Sequence, residues 1–570
     1  MTTTQKFDVA IIGGGPAGST AGSLIKKYDP DASVLILERA MFPRDHVGES
    51  QLPPITAILH EMGAWEKVEA ADFPIKVGAT YRWGNSPELW DFEFLPLEHF
   101  KDEARPAKLE GQRLFTAFQV DRATYDHILL DHAADLGCDA RQSTKVSTIE
   151  RTGDRIDGLI LGDGTRVEAD HYIDASGNAA ILRKAMDVGV EVPTRLKNMA
   201  IWDYWENTDW AVKIGVGGTR VQVLSIGTGW IWFIPLGPTR TSIGYICPTE
   251  HFRNCGMTPE QMYLDAIAQE PRVTELCTNA TREGRLATTK DWSFVSDRMV
   301  GENWMLVGEA AGFADPILAG GMTLAHTSAR EAAYIVLADR KGEHDPKWMK
   351  RSYEQVLTDR IKQYIRFADF WYAANGQFTD LESETQAIAD AAGLKMTPKE
   401  AFRWLSLGGF THEDFFLPGL GGLDLIAVKE IARRFTGDTE QRWEMLNYNV
   451  FKLNLNQAKK ATVPIYNEGK IIKADAYRRG HKQLPLVGLY GVVHNVLKQH
   501  SDAISISRAF ERVAAQNPGT GVNVQQLFAS LENMLIDGWV TGKMDAKKPK
   551  LRFDLSGNNF NSDKIKAASA

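Results

Sequence analysis

The sequence predicts an α/β protein built from a Rossmann-like β–α–β domain, an inserted mixed β-sheet and a mainly helical C-terminal extension. Three observations predict this fold. A glycine-rich turn follows an apolar strand near the N-terminus, aromatic strand-like segments occur at 75–83 and 230–235, and helical patterns dominate after about residue 340. At 570 residues the chain is too long for a single hydrophobic core, so several domains are expected.

Composition narrows the class of protein. Hydrophobic residues make up 44% and charged residues 24%, as in ordinary globular proteins. The net charge of −8 argues against nucleic acid as a partner, and we interpret the basic residues of 543–552 as a solvated tail. The four cysteines include no C-x-x-C pair, so we expect no metal site and a reducing compartment. No charged-then-apolar leader precedes the first strand, and we expect a cytoplasmic protein with no membrane partner.

The N-terminal segment has the complete pattern of a dinucleotide site. An apolar strand at 7–12 leads into Gly13-Gly14-Gly15-Pro16-Ala17-Gly18, and a helix is predicted from 17 to 28. Gly13 permits a tight turn, Gly15 lets the backbone approach a pyrophosphate, and Gly18 lets the helix pack on the strand. A second strand at 33–37 ends in Glu38, twenty residues beyond Gly18, where a carboxylate accepts from a ribose hydroxyl.

Further segments resemble those of the flavoprotein monooxygenases of the glutathione-reductase type. These are Asp121-Arg122, the turn Ala175-Ser176-Gly177, and a strand at 304–307 followed by Gly308-Glu309. The resemblance implies FAD, with Arg122 at the pyrophosphate end. That family usually has Gly-Asp where this chain has Gly308-Glu309, so we expect Glu309 to contact the ribityl chain through a shifted backbone or a water. Asp291 is expected near the flavin edge, and a covalent flavin link stays open.

Over residues 5–340 the chain resembles the flavin-dependent halogenases. The motifs are the loop Phe42-Pro43-Arg44-Asp45-His46-Val47-Gly48-Glu49-Ser50, the lone Lys76 and Trp230-Ile231-Trp232-Phe233-Ile234-Pro235. The resemblance implies that reduced FAD, oxygen and chloride or bromide give hypohalous acid, which a lysine delivers to the substrate. The cofactor-binding residues predicted in this way are Gly13, Gly15, Pro16, Ala17, Gly18, Glu38, Arg39, Arg44, Ser50, Arg122, Ala175, Gly177, Glu309, Gly321 and Met322.

Lys76 is the predicted catalytic residue. Most lysines are solvated surface residues, but Lys76 follows the Gly48-Glu49-Ser50 loop at the family's spacing and opens an aromatic strand. It would either donate a hydrogen bond to hypohalous acid or form a haloamine. A partly desolvated lysine has a lowered pKa and suits both roles.

Two further motifs are predicted to line a halide tunnel and to bind the halide. Trp230 and Trp232, with Ile234 and Pro235, are predicted to line the halide tunnel and block close approach of the substrate, although tryptophans at i and i+2 could instead fill a core. Gly320 and Gly321 are predicted to bind halide through their amides at a helix start, with a simple turn as the alternative.

The residue before this halide pocket bears on the substrate. In the tryptophan-type halogenases a glutamate precedes the pocket and assists deprotonation, whereas this chain has Leu318. The resemblance therefore implies a phenolic, pyrrolic or activated acyl substrate, free or tethered to a carrier protein, and not free tryptophan.

Domain boundaries and partners complete the expectations. We expect a core at 1–340, with its substrate-side sheet within about 75–120 and 195–295, and a mainly helical domain at 341–570. Helices are expected at 346–374, 398–407, 425–434 and 523–536. Only one phosphate-loop fingerprint is present, so reduced flavin is expected from a separate flavin reductase.

The same residues leave other functions open. A flavin hydroxylase or epoxidase of this fold would turn over without halide and would not need Lys76. A non-catalytic flavin-binding interaction module is the remote alternative.

Overall fold

The structure is a computed structural model, and it describes residues 4–83, 88–95, 99–192, 197–290, 292–375, 419–420, 423–424, 429, 443–480, 482–517 and 522–551. The chain divides into two compact units. One comprises Met1–Ala368 and Tyr466–Ile471, and the other comprises Asp369–Ile465 and Ile472–Ala570. The predicted α/β class is confirmed: a Rossmann-like sheet, a second large sheet and helices in the C-terminal region are all present.

A seven-stranded sheet carries the dinucleotide motif. Its centre is the strand Thr4–Ile12, which runs parallel to Val34–Leu37 on one side and to Arg166–Asp174 on the other. Val9 to Ile12 are almost fully buried, as expected of a central parallel strand. The remaining strands are Asp139–Arg141, Val146–Thr152, Arg155–Leu161 and Trp304–Leu306.

A nine-stranded mixed sheet forms the second layer of the first unit. Strands Ile75–Arg82 and Gly218–Ile226 are parallel, and the other described strand pairs of this sheet are antiparallel. Its other strands are Trp90–Glu93, Ala117–Phe118, Asn198–Glu206, Gly229–Pro235, Arg240–Pro248, Thr281–Arg282 and Ala287–Lys290. A small third sheet joins Val190–Glu191, Phe294–Ser296 and Gly312–Phe313.

Helices cover the two large sheets. Gly321–Lys341 is buried along most of its length and ends at Gly342, whose φ of 65° gives the left-handed C-cap that glycine tolerates best. The predicted helix at 346–374 is observed as Pro346–Ala373. The other helices described in the first unit are Pro16–Tyr28, Pro54–Met62, Trp65–Ala70, Arg122–Asp135, Ile181–Ala185, Thr249–Asn254, Pro259–Ala268 and Pro271–Leu276.

The second unit contains strands as well as helices. Its described helices are Gly488–Gln499, Ala503–Gln516 and Val524–Ile536, the last capped by the Asn523 side chain. Val450–Leu453 pairs with Val540–Lys543, and Lys459–Asn467, Lys470–Arg479 and Lys482–Pro485 form a three-stranded sheet. The short strands Gly419–Leu420 and Leu423–Asp424 pair with each other.

Two remaining expectations concern helices in the C-terminal region and membrane-spanning helices. The predicted helices at 398–407 and 425–434 fall outside the described residues, apart from Lys429. No helix among the described residues combines the length and hydropathy that crossing a bilayer requires.

Candidate functional site

The glycine-rich turn forms a cradle at the end of the first strand. Gly13 has a φ of 110°, and a Cβ there would lie 2.3 Å from the Ala175 carbonyl oxygen. A Cβ on Gly18 would lie 1.9 Å from the Gly13 oxygen, so both positions require glycine for packing. Gly15 is different, because its Cβ would meet only Arg44 Nη2, at 3.6 Å. Gly15 therefore keeps space open at the start of helix Pro16–Tyr28, where helix amides attract phosphates.

Glu38 lies beside that turn, at the end of the second strand. Its Oε2 accepts from the Gly14 amide at 2.9 Å, and its Oε1 accepts from the Ala40 amide at 2.8 Å. Each carboxylate oxygen retains a lone pair for a ribose hydroxyl. The exposed Arg39 follows it directly.

Arg44 and Arg122 share the carboxylate of Asp126. Arg122 binds Asp126 through two hydrogen bonds of 2.7 and 2.9 Å, and its Nη1 donates to the carbonyl oxygens of Val47 and Gly48, each at 3.0 Å. Arg122 thus anchors the loop at 42–50. Arg44 Nη1 lies 3.4 Å from Asp126 but makes no hydrogen bond among the described residues. Arg44 is therefore the cation that faces the open space at Gly15.

Ala175 and Gly177 close the other side of the cradle. Glu309 Oε2 would lie 3.9 Å from a Cβ on Gly177, which has a φ of 62°. Burial raises the pKa of Glu309, and the charge of Arg122 opposes that rise. Asp291, expected near the flavin edge, lies outside the described residues.

These features fit a FAD. The cradle at Gly13 to Gly18 leaves room at Gly15 alone, and a carboxylate stands twenty residues further along the chain. Ser50 Oγ and Thr323 Oγ1 are buried hydroxyl oxygens without a hydrogen-bond partner among the described residues. Arg44 Nη1 is a buried nitrogen that likewise makes no hydrogen bond there, although it lies 3.4 Å from Asp126. Buried polar atoms without partners are unfavourable unless a bound group satisfies them.

The predicted halide pocket stands at the start of a long helix. Gly320 is the N-cap residue of Gly321–Lys341, and Ala319 before it has a φ of 51°. The first amides of a helix have no partner within it, so they are available to an anion. A Cβ on Gly321 would lie 2.8 Å from the ring of Phe313, so side chains are excluded at this turn. Met322 follows and is buried. The halide role of these glycines stays a prediction.

Trp230 and Trp232 share one face of the second sheet. The alternate residues Ile231 and Phe233 point to the opposite face, where they join the apolar core with residues of helices Pro259–Ala268 and Pro271–Leu276. The tryptophans are therefore separate from that core, although both are buried. Ile234 and Pro235 extend the same strand.

Four indoles form a continuous row on this face. Ring centroids are 6.2 Å apart for Trp83 and Trp230, 6.1 Å for Trp230 and Trp232, and 6.5 Å for Trp202 and Trp232. Gly244, directly opposite Trp232, makes room for its ring, because a Cβ there would lie 2.0 Å from Trp232 Cζ2. Trp83 and Trp202 also belong to this row, and neither was predicted from the sequence.

A β-bulge brings Lys76 to the tryptophan face. Lys76 pairs with Thr219, but Gly78 pairs with the next residue, Arg220, so Val77 is the extra residue. Further along, Val223 pairs with both Tyr81 and Trp232. Thr219 and Val223 lie on the same face because side chains alternate along a strand. Without the bulge, Lys76 would point to the opposite face.

The environment of Lys76 is apolar. Its Nζ donates to the Gln51 carbonyl oxygen at 2.9 Å and lies 5.3 Å from the centre of the Phe94 ring. Burial lowers the pKa of Lys76 to about 7, and no carboxylate pairs with it among the described residues. A large share of the side chain is therefore a neutral amine near neutral pH.

Lys76→Met is expected to stabilise the protein. Burial holds the folded-state pKa near 7, below the ordinary 10.5, so folding at neutral pH expels a proton from the lysine. Loss of this proton lowers the free energy of unfolding by about 1.4 kcal/mol for each unit by which folding lowers the pKa of Lys76. This destabilisation grows as the pH falls from about 10 to 7 and is constant below pH 7. Thermal unfolding of the FAD-free protein should show a higher melting temperature for the variant at pH 7, and a smaller difference at pH 9.5. An equal or lower melting temperature at pH 7 would show that the amine is hydrated.

A buried histidine network, which was not predicted from the sequence, holds the surrounding helices together. Thr20 Oγ1 lies 2.8 Å from His326 Nδ1, and Tyr125 Oη lies 2.9 Å from His326 Nε2. Burial lowers the pKa of His326 to about 3, so the ring is neutral and donates from one nitrogen only. The network joins the helices that carry the glycine turn, Arg122 and the candidate halide pocket. Its one signal in the sequence is a lone histidine in the helix after Gly321, and a lone histidine does not identify a buried network.

Comparison with known proteins agrees with this geometry. The tryptophan halogenase family model matches residues 8–105 and 98–383. A 1H-pyrrole-2-carbonyl-[peptidyl-carrier protein] chlorinase of Pseudomonas fluorescens is 30% identical over 384 residues, which cover 65% of this chain and 85% of the chlorinase. A tryptophan 2-halogenase of Chondromyces crocatus is 29% identical over 385 residues, which cover 66% of this chain and 70% of that enzyme.

A solved structure extends the likeness of the fold to almost the whole chain. The flavin-dependent halogenase CmlS superposes with a TM-score of 0.70 over 97% of this chain and 99% of its own, at 23% identity. The family model covers more than half of the residues, and it spans the glycine turn, Lys76, the tryptophan strand and the glycines at 320–321. This chain therefore belongs to the tryptophan halogenase family and is a flavin-dependent halogenase, an oxidoreductase that uses FAD, oxygen and halide.

Proposed function

We propose that the enzyme receives FADH2 from a separate flavin reductase and that Lys76 delivers oxidised halide to an electron-rich substrate held by a carrier protein. The observation that carries this proposal is the position of Lys76. It is a buried amine without a carboxylate partner among the described residues, on the same sheet face as the tryptophan row. Bound FADH2 supplies the reduction of oxygen that converts halide to hypohalous acid.

The chain's own residues then have separate tasks. Gly13 to Gly18, Glu38 and Arg44 hold the cofactor, while the amides at Gly320 and Gly321 hold the halide. Trp230 and Trp232 keep the substrate away from the flavin. The neutral amine of Lys76 either donates a hydrogen bond to hypohalous acid or takes its halogen and releases water. In both cases the ring carbon gains halogen and loses a proton.

The proposed substrate class rests on two observations. By the resemblance to the tryptophan-type halogenases, Leu318 stands where those enzymes have an assisting glutamate, which implies that the substrate ring reacts without that base. One relative acts on a pyrrole carbonyl group held on a peptidyl carrier protein, and another acts on tryptophan. An electron-rich phenol or pyrrole needs the least assistance, and we propose such a ring, tethered through an acyl group.

Mass spectrometry of a substrate panel is the test. The panel contains free tryptophan, free phenols and pyrrole-2-carboxylate, and carrier-tethered hydroxybenzoyl and pyrrolyl groups, each with reductase, NADH, FAD and bromide. Halogenation of a tethered ring in preference to free tryptophan is expected, and omission of the reductase should stop turnover. Efficient halogenation of free tryptophan would refute the substrate class. Unassisted NADH oxidation would refute the need for a reductase.

A further inference from the structure

A buried side-chain amide lies beside Lys76 on the tryptophan face of the second sheet. We propose that Gln119 is a specificity-determining residue whose amide binds the acyl carbonyl and the neighbouring ring N–H of the substrate. Bound in this way, the ring is held next to the Lys76 amine. This inference rests on the proposed function for the identity of the ligand as the reacting ring, whereas the unpaired amide is a feature of the chain itself.

Strand pairing places Gln119 on the same face as Lys76. Lys76 pairs with Ala117 in an antiparallel ladder. The ladder continues to Gln119, whose backbone amide donates to the Pro74 carbonyl oxygen at 2.9 Å. Because side chains alternate along a strand, Ala117 and Gln119 lie on one face, and Lys76 lies on it too. Lys76 and Gln119 are therefore diagonal neighbours on adjacent strands, about 7–8 Å apart, a separation that long side chains span.

The amine of Lys76 extends across the strand that carries Gln119. Its Nζ donates to the Gln51 carbonyl oxygen at 2.9 Å. Gln51 follows Ser50, which forms a β-bridge directly opposite Gln119, on the edge away from Lys76. The lysine side chain therefore passes over Ala117, which carries only a methyl group, to reach the segment that pairs with Gln119. The amine and the Gln119 amide thus border the same space.

The Gln119 amide has no partner among the described residues. The side chain is fully buried, and neither Oε1 nor Nε2 makes a hydrogen bond there. An unpaired buried amide destabilises a folded chain, and such a group calls for a ligand or another functional reason. The neighbouring Lys76 amine lies 5.3 Å from the centre of the Phe94 ring. A few polar groups converging within aromatic surroundings are typical of a small-molecule site.

The two unpaired atoms determine the chemistry of the ligand. Oε1 accepts and Nε2 donates, and both lie on one planar edge of the Gln119 amide. A pyrrole acylated next to its N–H satisfies both atoms, because its N–H and its carbonyl oxygen point the same way in the planar conformer. A pyrrole acylated at the 3-position separates these two groups and leaves one amide atom unpaired. A site with buried polar groups rejects the ligand that leaves them unpaired.

Isothermal titration calorimetry with two isomeric probes tests the recognition directly. 2-Acetylpyrrole and 3-acetylpyrrole are titrated into the full-length protein in the presence of saturating FAD. Wild type is expected to bind the 2-isomer at least about tenfold more tightly, because the 3-isomer leaves a buried polar atom without a partner. Gln119→Met keeps a side chain of similar length but has no polar edge, so the preference should disappear in this variant.

Gln222→Met is the matched control. Gln222 is a buried glutamine of the same sheet, but it pairs with Phe233 on the opposite face, and its Oε1 accepts from Arg272 at 3.1 Å. This variant should keep the wild-type preference for 2-acetylpyrrole. Equal affinity of wild type for the two isomers, or an unchanged preference in Gln119→Met, would overturn the proposal. A fall in FAD affinity in place of probe affinity would assign the amide to the cofactor and overturn it too.

Thermal unfolding without probe separates recognition from a structural role. Removal of an unpaired buried amide should raise the melting temperature of Gln119→Met above that of wild type. Gln222→Met removes a bonded amide and should lower it. A lower melting temperature for Gln119→Met would show that its amide stabilises the fold, which contradicts the proposal.

Turnover distinguishes this proposal from the proposed function. Wild type should halogenate a carrier-tethered pyrrole-2-carbonyl group faster than a tethered pyrrole-3-carbonyl group. Equal rates would overturn the specificity role of Gln119 and leave the proposed function intact. If neither group is halogenated while the acetylpyrroles bind as expected, the proposed function fails and the recognition by Gln119 stands.

Discussion

Lys76→Ala is expected to abolish halogenation while flavin oxidation continues. Among the described residues the interactions of Lys76 are with the Gln51 carbonyl oxygen and the Phe94 ring, and none joins it to the glycine cradle, Glu38 or Arg44, which we propose hold the cofactor. Oxidised halide should still form and leave to solution, because only its delivery to the substrate needs the amine. The rate of product formation should fall at least about a hundredfold, the lower range for loss of a positioned proton-transferring or nucleophilic group. Product formation by mass spectrometry and oxygen uptake are the two measurements.

Lys76→Arg is the matched variant for that experiment. It places a permanent positive charge at this position, because a guanidinium stays protonated whereas the Lys76 amine has a pKa of about 7, and the guanidinium is also larger. We expect it to be as inactive as the alanine variant. Near wild-type rates with wild-type regiochemistry in either variant would reduce Lys76 to a structural residue.

Gly15→Val is expected to block FAD binding without unfolding the protein. A Cβ at position 15 would meet only Arg44 Nη2, at 3.6 Å. Gly15 itself has a φ of −71°, which any residue adopts, so the folded FAD-free chain tolerates a side chain there. The pyrophosphate of FAD cannot bind beside that side chain, because it needs close approach to the backbone. Affinity measured by fluorescence titration should fall at least about a hundredfold, or about 2.7 kcal/mol.

Gly18→Ala provides the contrast to that variant. A Cβ at Gly18 would lie 1.9 Å from the Gly13 oxygen, so this substitution should lower the melting temperature even without FAD. Gly15→Val should leave the melting temperature of the FAD-free protein near that of wild type. Unchanged FAD affinity in Gly15→Val would contradict the assignment of the cradle.

The glycine turn was predictable because its signals are local. The strand, the glycines, the helix and Glu38 all fall within residues 4–38, and each has its own short-range pattern. The helix predicted at 523–536 was equally local, and it begins after Asn523, whose side chain caps the amide of Gln526. Such elements are determined by neighbours along the chain.

The sheet that places Lys76 depends on distant residues. Its bulge comes from pairing with Gly218–Ile226, which lies more than a hundred residues away, and nothing in the sequence around Val77 marks it. The spacing of Trp230 and Trp232 predicted a shared face. It did not show which face belonged to the apolar core, because Ile231 and Phe233 are equally hydrophobic.

The strands at 459–485 were missed for a related reason. Pro464 and several lysines interrupt the apolar alternation that identifies a strand. The turn between the first two strands is formed by Glu468 and Gly469, with φ values of 47° and 75°, which is the backbone of a tight hairpin. These segments are strands because they pair with one another, and no pattern in the sequence predicts that pairing.

The most direct test of the account is bromide-dependent chemistry in the absence of any natural substrate. The purified enzyme is given FADH2, oxygen and dimedone, with and without bromide, beside Lys76→Ala. We expect bromodimedone only when bromide is present, with a yield from Lys76→Ala at least as high as that from wild type. The account would be contradicted if flavin were oxidised without any bromodimedone and aromatic probes were oxygenated at a rate that does not depend on bromide. That result would indicate a hydroxylase.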